Sequence, residues 1–322
     1  MPELTIKEIL IKSSEYLKNK GIISSRHDAE LLLSHFLGIS RMSLYLEYEK
    51  VVSKDKADLI RNAVIDRGKR KPLQYIIGYV NFLDCVIEVN ENVLIPRPET
   101  EYMVDMIIKD FSLSNKQSES TNIINNDDVH HCTKILDLCT GSGAIAIAIK
   151  KTIHNSVVYA IDICENALIT AKNNAVKNNC EILFINSDLF NEFQLHNLAN
   201  HTNNSKYNFN EKIANDACNS QFFFDLIISN PPYINEDDYN ELQPEIFFEP
   251  KLALVAKDNG FYFYHKILFE AKNYLNEGGI MFLEIGSDQA DEIKKLAEEN
   301  NYSEIDVFKD LNEKYRIMRL TK

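Results

Sequence analysis

From Lys134 onward, short runs of strand-forming residues alternate with helical segments. This alternation constrains the fold more than any other feature of the chain. Strands are expected at Lys134–Leu138, Val157–Ile161, Ile182–Ile185, Phe224–Ser229 and Gly279–Glu284, with two more in the closing "EIDVFKDLNEKYRIMRLTK". Helices are expected at Glu99–Phe111, Ala144–Lys151, Glu165–Asn178, Gly260–Asn276 and Asp288–Glu299. Runs such as Leu226–Ile228 are apolar throughout, the pattern of strands buried on both faces of a parallel sheet. Strand–helix–strand repeats with this patterning close as a doubly wound α/β sheet, whose sites lie at the carboxyl ends of the strands.

The first part of the chain has a different character. Residues 1–71 read as a small helical bundle, with Leu4, Ile6, Ile9, Leu10 and Leu17 at helical spacing and Gly21 and Gly38 as helix stops. Lys54–Arg70 is expected to be a third long helix ending near Pro72. Residues 72–98, rich in Ile, Val, Tyr and Phe between turn residues, read as a β-hairpin linker to a domain spanning 99–322. Two polar, Asn- and Ser-rich stretches, about 112–131 and 191–221, have no period and read as surface insertions.

Charge and cysteine content narrow the function. Acidic residues outnumber basic ones 48 to 35, giving a net charge of −13. A protein built to grip a phosphate backbone carries the opposite bias. The six cysteines show no CxxC spacing, and reduced thiols with no metal site are the expectation. The first residues lack the apolar core of a signal peptide, and no apolar run approaches the ~20 residues of a membrane span. A soluble cytoplasmic protein is expected.

"ILDLCTGSGAIAIAI" reads as strand, tight turn and helix. Gly141 and Gly143 allow close backbone approach to a ligand at a helix start. Gly141-x-Gly143-x-x-Ala146, with Asp162 roughly 20 residues on, also matches the dinucleotide fingerprint of a nicotinamide dehydrogenase. The spacing Asp137-x-Cys139-x-Gly141-x-Gly143 instead resembles the acidic-x-Gly-x-Gly-x-Gly signature of S-adenosylmethionine-dependent methyltransferases. That resemblance implies a cofactor held by Cys139, Thr140, Gly141, Ser142 and Gly143. It implies ribose contacts from Asp162, an ionised acceptor with two oxygens, and adenine contacts near Asp188 and Leu189. Cys139 stands where that family has its first glycine, and a Cβ there costs about 1–3 kcal/mol if φ is positive.

Asn230-Pro231-Pro232-Tyr233, at the end of the expected fourth strand, resembles the Asn/Asp-Pro-Pro-Tyr/Phe motif of amino-group methyltransferases. Its logic follows from the chemistry. An amide nitrogen is a poor nucleophile because its lone pair is delocalised. Asn230 Oδ1 and the Pro231 carbonyl can each accept one N–H, making the nitrogen more pyramidal and turning the lone pair toward the methyl donor. Two prolines hold that carbonyl still, and Tyr233 offers an aromatic face. Proton loss can follow transfer, so no general base is needed beforehand.

Four further stretches decide which amino group. "RGKRKPLQYIIGYVNF" (Arg67–Phe82), "VLIPRPETE" (Val93–Glu101), "FEPKLALVAKDNG" (Phe248–Gly260) and "LEIGSDQ" (Leu283–Gln289) resemble, in order, the HemK/PrmC family. The sister family acting on a ribosomal protein typically reads Pro-Arg-Ser-Pro in place of "PRPE". The resemblance implies a seven-stranded Rossmann-like, class I methyltransferase domain. It also implies S-adenosylmethionine as cofactor and methylation of the glutamine amide nitrogen in the Gly-Gly-Gln motif of peptide chain release factors. It further implies that the helical domain docks the release factor, without membrane or direct nucleic-acid binding, and that the enzyme is a monomer. Arg97 and Glu99 are either mouth residues or a hinge ion pair. "DRGKRK" (Asp66–Lys71) is either a partner contact or a solvated helix end. Methyl transfer to nucleic acid or to a ribosomal-protein glutamine stays open as an alternative, as does a non-catalytic binding protein.

Overall fold

The computed structural model describes residues 4–120, 132–193 and 222–322. The chain divides into two compact units, Met1–Tyr79 with Val89–Glu91 and Leu242–Glu249, and Val80–Glu88 with Asn92–Glu241 and Pro250–Lys322. No helix among the described residues is long and apolar enough to cross a membrane.

The first unit is helical: α1 (Ile6–Asn19), α2 (Ser25–Leu37), α3 (Arg41–Leu46), α4 (Lys54–Gly68) and α5 (Leu73–Ile77). Thr5 and Glu8 form a reciprocal capping box that starts α1, and Gly38 ends α2 in the left-handed conformation. Leu10, Leu17, Leu32, Leu33, Leu44 and Ile60 fill its core. The sequence reading omitted α3 and α5, short helices of six and five residues whose patterns span too few turns to show a period.

Within the basic cluster near the end of α4, Lys69 is solvated, whereas Arg67 and Arg70 are held inside their own unit. Arg67 is buried and donates through Nε to Asp28 Oδ2 at 2.7 Å and through a terminal nitrogen to Glu245 Oε1 at 2.9 Å. Arg70 reaches the same Glu245 oxygen at 3.1 Å. These bonds pin the 3-10 turn Pro244–Phe248 to the helices of its own unit.

The second unit carries the sheet: β3 (Thr133–Leu138), β4 (Ser156–Asp162), β5 (Leu183–Asn186), β6 (Phe224–Ser229), β7 (Leu275–Glu284), β8 (Ile305–Lys309) and β9 (Tyr315–Thr321). Its order is β5-β4-β3-β6-β7-β9-β8. The first five in that order are parallel, whereas β9 runs antiparallel to both β7 and β8. The order reverses between β4 and β6 around β3, creating the crevice at the strand carboxyl ends where such sheets bind ligands. Helices α6 (Pro98–Ser120), α7 (Ala144–Thr152), α8 (Glu165–Lys177), α9 (Glu236–Tyr239), α10 (Tyr262–Ala271) and α11 (Ala290–Glu299) complete the described elements. Phe190, Phe193, Phe224, Ile227, Leu268 and Met281 lie in this unit's core cluster, each fully closed to solvent.

Several boundaries differ from expectation. Helix α6 runs on to Ser120, through the start of the first polar stretch. Extending a formed helix requires no new nucleus, so it can proceed without an apolar stripe. The first residues of the second stretch include Phe193, which is completely buried; the rest of both stretches lies outside the described residues. Helix α10 stops at Ala271, and β7 begins at Leu275, with left-handed Gly278 and a register shift against β6 marking a bulge. The hairpin is shorter than its expected span, limited to β1 (Tyr79–Phe82) and β2 (Cys85–Glu88).

Candidate active site

Strands β3, β4, β5 and β6 end at one cavity of about 410 Å³, within the roughly 300–1,000 Å³ of small-molecule sites. Of the residues anticipated from sequence, Cys139, Gly141, Asp162, Asp188, Leu189, Asn230 and Pro232 line it. Thr140, Ser142, Gly143 and Pro231 are buried beside them and shape the loops.

The turn after β3 bends because Cys139, Gly141 and Gly143 all have positive φ, at 60°, 55° and 82°. Gly141 has nothing within 4 Å of where a Cβ would stand, so its backbone is open to a ligand. Gly143 serves packing instead, since a Cβ would lie 3.1 Å from Ala171 Cβ and 3.3 Å from Ile147 Cδ1. Thr140 Oγ1 donates to Asp137 Oδ2 at 2.6 Å, and the Ala146 N–H reaches the same oxygen at 3.2 Å. Burial pushes the Asp137 carboxyl up to about 7 against those two bonds. Cys139 holds the left-handed conformation that a glycine would adopt without strain, and burial raises its thiol far above the ordinary range.

Asp162 closes β4. Its Oδ2 accepts from the Gly141 N–H and its Oδ1 from the Cys164 N–H, both at 2.8 Å. Each oxygen keeps a further lone pair for hydroxyl donors in the cavity. Burial raises its pKa, opposed by the backbone donors of Cys164, Gly141 and Ile163. After β5, Leu189 is buried at φ 52°. Asp188 Oδ2 stands 3.7 Å from Lys266 Nζ, with both side chains about a third exposed.

At the end of β6, Ser229 Oγ donates to the Leu138 carbonyl at 2.9 Å, locking the β3 and β6 termini together. Asn230 Nδ2 donates to Thr100 Oγ1 at 3.0 Å, and Thr100 Oγ1 donates to Glu284 Oε2 at 2.5 Å. Among the described residues the Pro231 carbonyl accepts no hydrogen bond. The Tyr233 carbonyl accepts from Gln289 Nε2 at 3.1 Å. Ile234 pairs with Leu254 and Ala256 through bonds of 2.9 Å in each direction. Burial raises the Tyr233 hydroxyl pKa, keeping the ring neutral.

Among the lining residues that sequence reading did not single out are Asn92–Leu94, the Leu252–Lys257 segment with Pro250, and the aromatic pair Tyr262 and Phe263. The motifs "VLIPRPETE" and "FEPKLALVAKDNG" contain most of the first and all of the second, without revealing which side chains face inward. Arg97 and Glu99 do not line the cavity; both act electrostatically on Tyr233 and Glu284. Among the described residues no group of three His, Cys, Asp or Glu could hold a metal.

A five-strand parallel run ending in an antiparallel hairpin, with a glycine turn after its first strand, differs from the all-parallel dinucleotide-binding sheet. Residues 130–321 match the model of the methyltransferase domain family, and residues 8–78 match that of the PrmC N-terminal domain. Fold and site together define a class I S-adenosylmethionine-dependent methyltransferase. Among curated relatives, the release factor glutamine methyltransferase of Thermodesulfovibrio yellowstonii is 36% identical over 92% of this chain and 92% of its own length. Those of Rhodopirellula baltica and Leptospira interrogans are 34% and 33% identical over 99% of this chain and 96% and 98% of their own lengths. The chain belongs to the release factor glutamine methyltransferase family.

Proposed function

We propose that this enzyme transfers the methyl group of S-adenosylmethionine to the side-chain amide nitrogen of the glutamine in the Gly-Gly-Gln motif of peptide chain release factors. The observation that carries the reading is the pair of acceptors at the end of β6. Asn230 uses its Nδ2 inward on Thr100, which leaves Oδ1 for a substrate, and the Pro231 carbonyl stands beside it. A primary amide has two N–H bonds to match two acceptors. Relatedness along almost the whole chain to release factor enzymes favours a protein glutamine over a nucleobase.

The open backbone of Gly141, the half-used carboxylate of Asp162 and the size of the cavity fit the cofactor. The loop Cys139–Gly143, with Asp162, Asp188 and Leu189, would hold it. When bound, it supplies an electrophilic methyl on a sulfonium. Asn230 Oδ1 and the Pro231 carbonyl draw the two amide hydrogens out of the amide plane, so that the nitrogen lone pair is less delocalised. The proline ring fixes φ and with it the carbonyl direction. The neutral Tyr233 ring gives the flat amide a surface and favours positive charge near its face. The nitrogen gains a methyl and releases one proton to solvent. The helical unit is the docking surface for the release factor, the enzyme works as a cytoplasmic monomer, and nucleic acid is not its substrate.

Mass spectrometry of an intact, unmodified release factor after incubation with enzyme and cofactor tests this. One methyl on the Gly-Gly-Gln glutamine is the expected product. Methyl transfer to tRNA, rRNA or DNA with none to the protein would overturn the reading.

A further inference from the structure

The hydrogen-bond chain behind Asn230 has a direction, and the direction carries chemical information. A carboxamide has nearly the same shape when its two ends are exchanged, so its surroundings decide which end faces the substrate. Thr100 has one hydroxyl proton. That proton is committed to Glu284 Oε2 at 2.5 Å, so Thr100 Oγ1 can receive only a donor from Asn230, and it receives Nδ2 at 3.0 Å. Oδ1 is therefore the end left over. Thr100 and Glu284 sit where water cannot substitute, since both are almost completely buried.

We propose that Thr100 and Glu284 are positioning residues that select the orientation of the Asn230 carboxamide, so that an acceptor rather than a donor faces the substrate amide. The inference rests on the reading of Asn230 as the substrate's acceptor. With Glu284 ionised, the chain runs from Asn230 through Thr100 to Glu284. A protonated Glu284 is itself a donor to Thr100 Oγ1. The threonine proton then points to Asn230, the carboxamide turns, and an N–H₂ meets the N–H₂ of the substrate. Two donors facing each other cannot draw out the amide hydrogens, and turnover stops without any loss of cofactor.

The groups around Glu284 set the pH at which this reversal occurs. Arg316 from β9 and Arg97 before α6 favour its ionised form, whereas Glu99 from α6 opposes it. The buried phenols of Tyr233 and Tyr264 also feel its charge, and Tyr264 Oη donates to the Glu284 main-chain carbonyl at 3.1 Å. Burial is the largest influence and pushes the carboxyl up to about 7.

The test compares wild type with Thr100→Val, Thr100→Ser and Glu284→Gln, reading kcat against pH on an intact release factor. Cofactor affinity is measured by calorimetry, and the Asn230 side-chain amide is followed by NMR in the free protein, assigned through its absence in Asn230→Asp. Wild-type kcat should rise with pH through about 7, and the Asn230 amide resonance should move over the same range. Thr100→Val should lower kcat roughly 10–100-fold while leaving cofactor affinity within a factor of about two, a change below half a kcal/mol. Thr100→Ser should restore most of the turnover. In Glu284→Gln both the kcat limb and the movement of the Asn230 resonance should vanish. An Asn230 resonance that ignores pH in wild type, or Thr100→Val turning over like wild type, would overturn the inference. Equal damage from the serine and valine variants, or a limb that survives in Glu284→Gln, would do the same. A wild-type enzyme that leaves release factors unmethylated would refute the function, while the NMR titration would still decide the orientation claim.

Discussion

Gln289 Nε2 donates to the main-chain carbonyl of Tyr233 across 3.1 Å, joining the start of α11 to the residue that follows the two prolines. The same glutamine accepts the Gly286 N–H through Oε1, also at 3.1 Å. One side chain thus ties the turn after β7 to the turn after β6. Gly260, at φ 91°, leaves the space for that bond, since a Cβ there would stand 2.3 Å from the Tyr233 oxygen and 2.7 Å from Gln289 Nε2.

Gly260→Ala should therefore be damaging on two counts, steric overlap and a left-handed backbone. We expect a loss of about 2–4 kcal/mol in stability, read by denaturant unfolding. Methyl transfer should fall with it, because the Asn230–Tyr233 backbone must move to relieve the clash. A variant as stable as wild type would show that this turn yields easily.

The Arg67 cluster gives a prediction confined to the helical unit. Arg67→Ala leaves the Asp28 and Glu245 carboxylates without their buried partner. Breaking a pair of this kind costs about 3–5 kcal/mol, whereas Lys69→Ala, whose ion pair with Asp66 is exposed, should cost about 0–1 kcal/mol. Unfolding of the two variants side by side checks the contrast.

Cys139→Gly should stabilise the protein. Removing a Cβ at φ 60° relieves backbone strain of about 1–3 kcal/mol, offset by about 0.5–1 kcal/mol of added chain entropy in the unfolded state. Thermal unfolding reads the difference, and a lower melting temperature in the glycine variant would show that the thiol's packing outweighs the strain. The raised pKa of Cys139 also predicts slow alkylation at neutral pH.

Asp137 and Glu284 both have their carboxyls pushed up to about 7 by burial. Each binds its proton more tightly in the folded than in the unfolded chain, where carboxyls titrate near about 4. The stability they contribute is fully present below that value and is lost as pH rises through about 7. Glu284→Gln should flatten this part of the profile, so the variant gains on wild type as pH rises from about 4 to about 7, the range between the two titrations. A variant whose deficit grows with pH would contradict the assignment. Activity and stability thus pull Glu284 in opposite directions, an arrangement common where a site needs a charge the core disfavours.

Some of this was legible in the sequence. The strand formers of β3, β4 and β6 form short apolar runs, and the Gly141 and Gly143 turn follows β3 directly, so the sheet and its loop could be read from local chemistry. The Asn230–Tyr233 turn was legible because two prolines admit few conformations. Short helices were missed for want of period, and the end of α10 because Asn276 to Gly279 suits a helix stop as well as a bulged strand. The partnership of Thr100 with Glu284 lay beyond reach for another reason. The two residues are 184 positions apart, and a threonine in a first helical turn ordinarily bonds locally. The same holds for Gln289 and Tyr233, whose bond depends on how two loops meet in space.

The central claim is that Asn230 presents an oxygen to the substrate amide at a site that binds the cofactor independently. The most direct measurement is single-turnover methylation of an intact release factor by wild type and Asn230→Ala, with cofactor affinity determined calorimetrically for both. The account predicts a loss of at least roughly 100-fold in the variant's rate with cofactor affinity changed by less than about tenfold, or 1.4 kcal/mol. An Asn230→Ala enzyme that methylates the glutamine at the wild-type rate would contradict it.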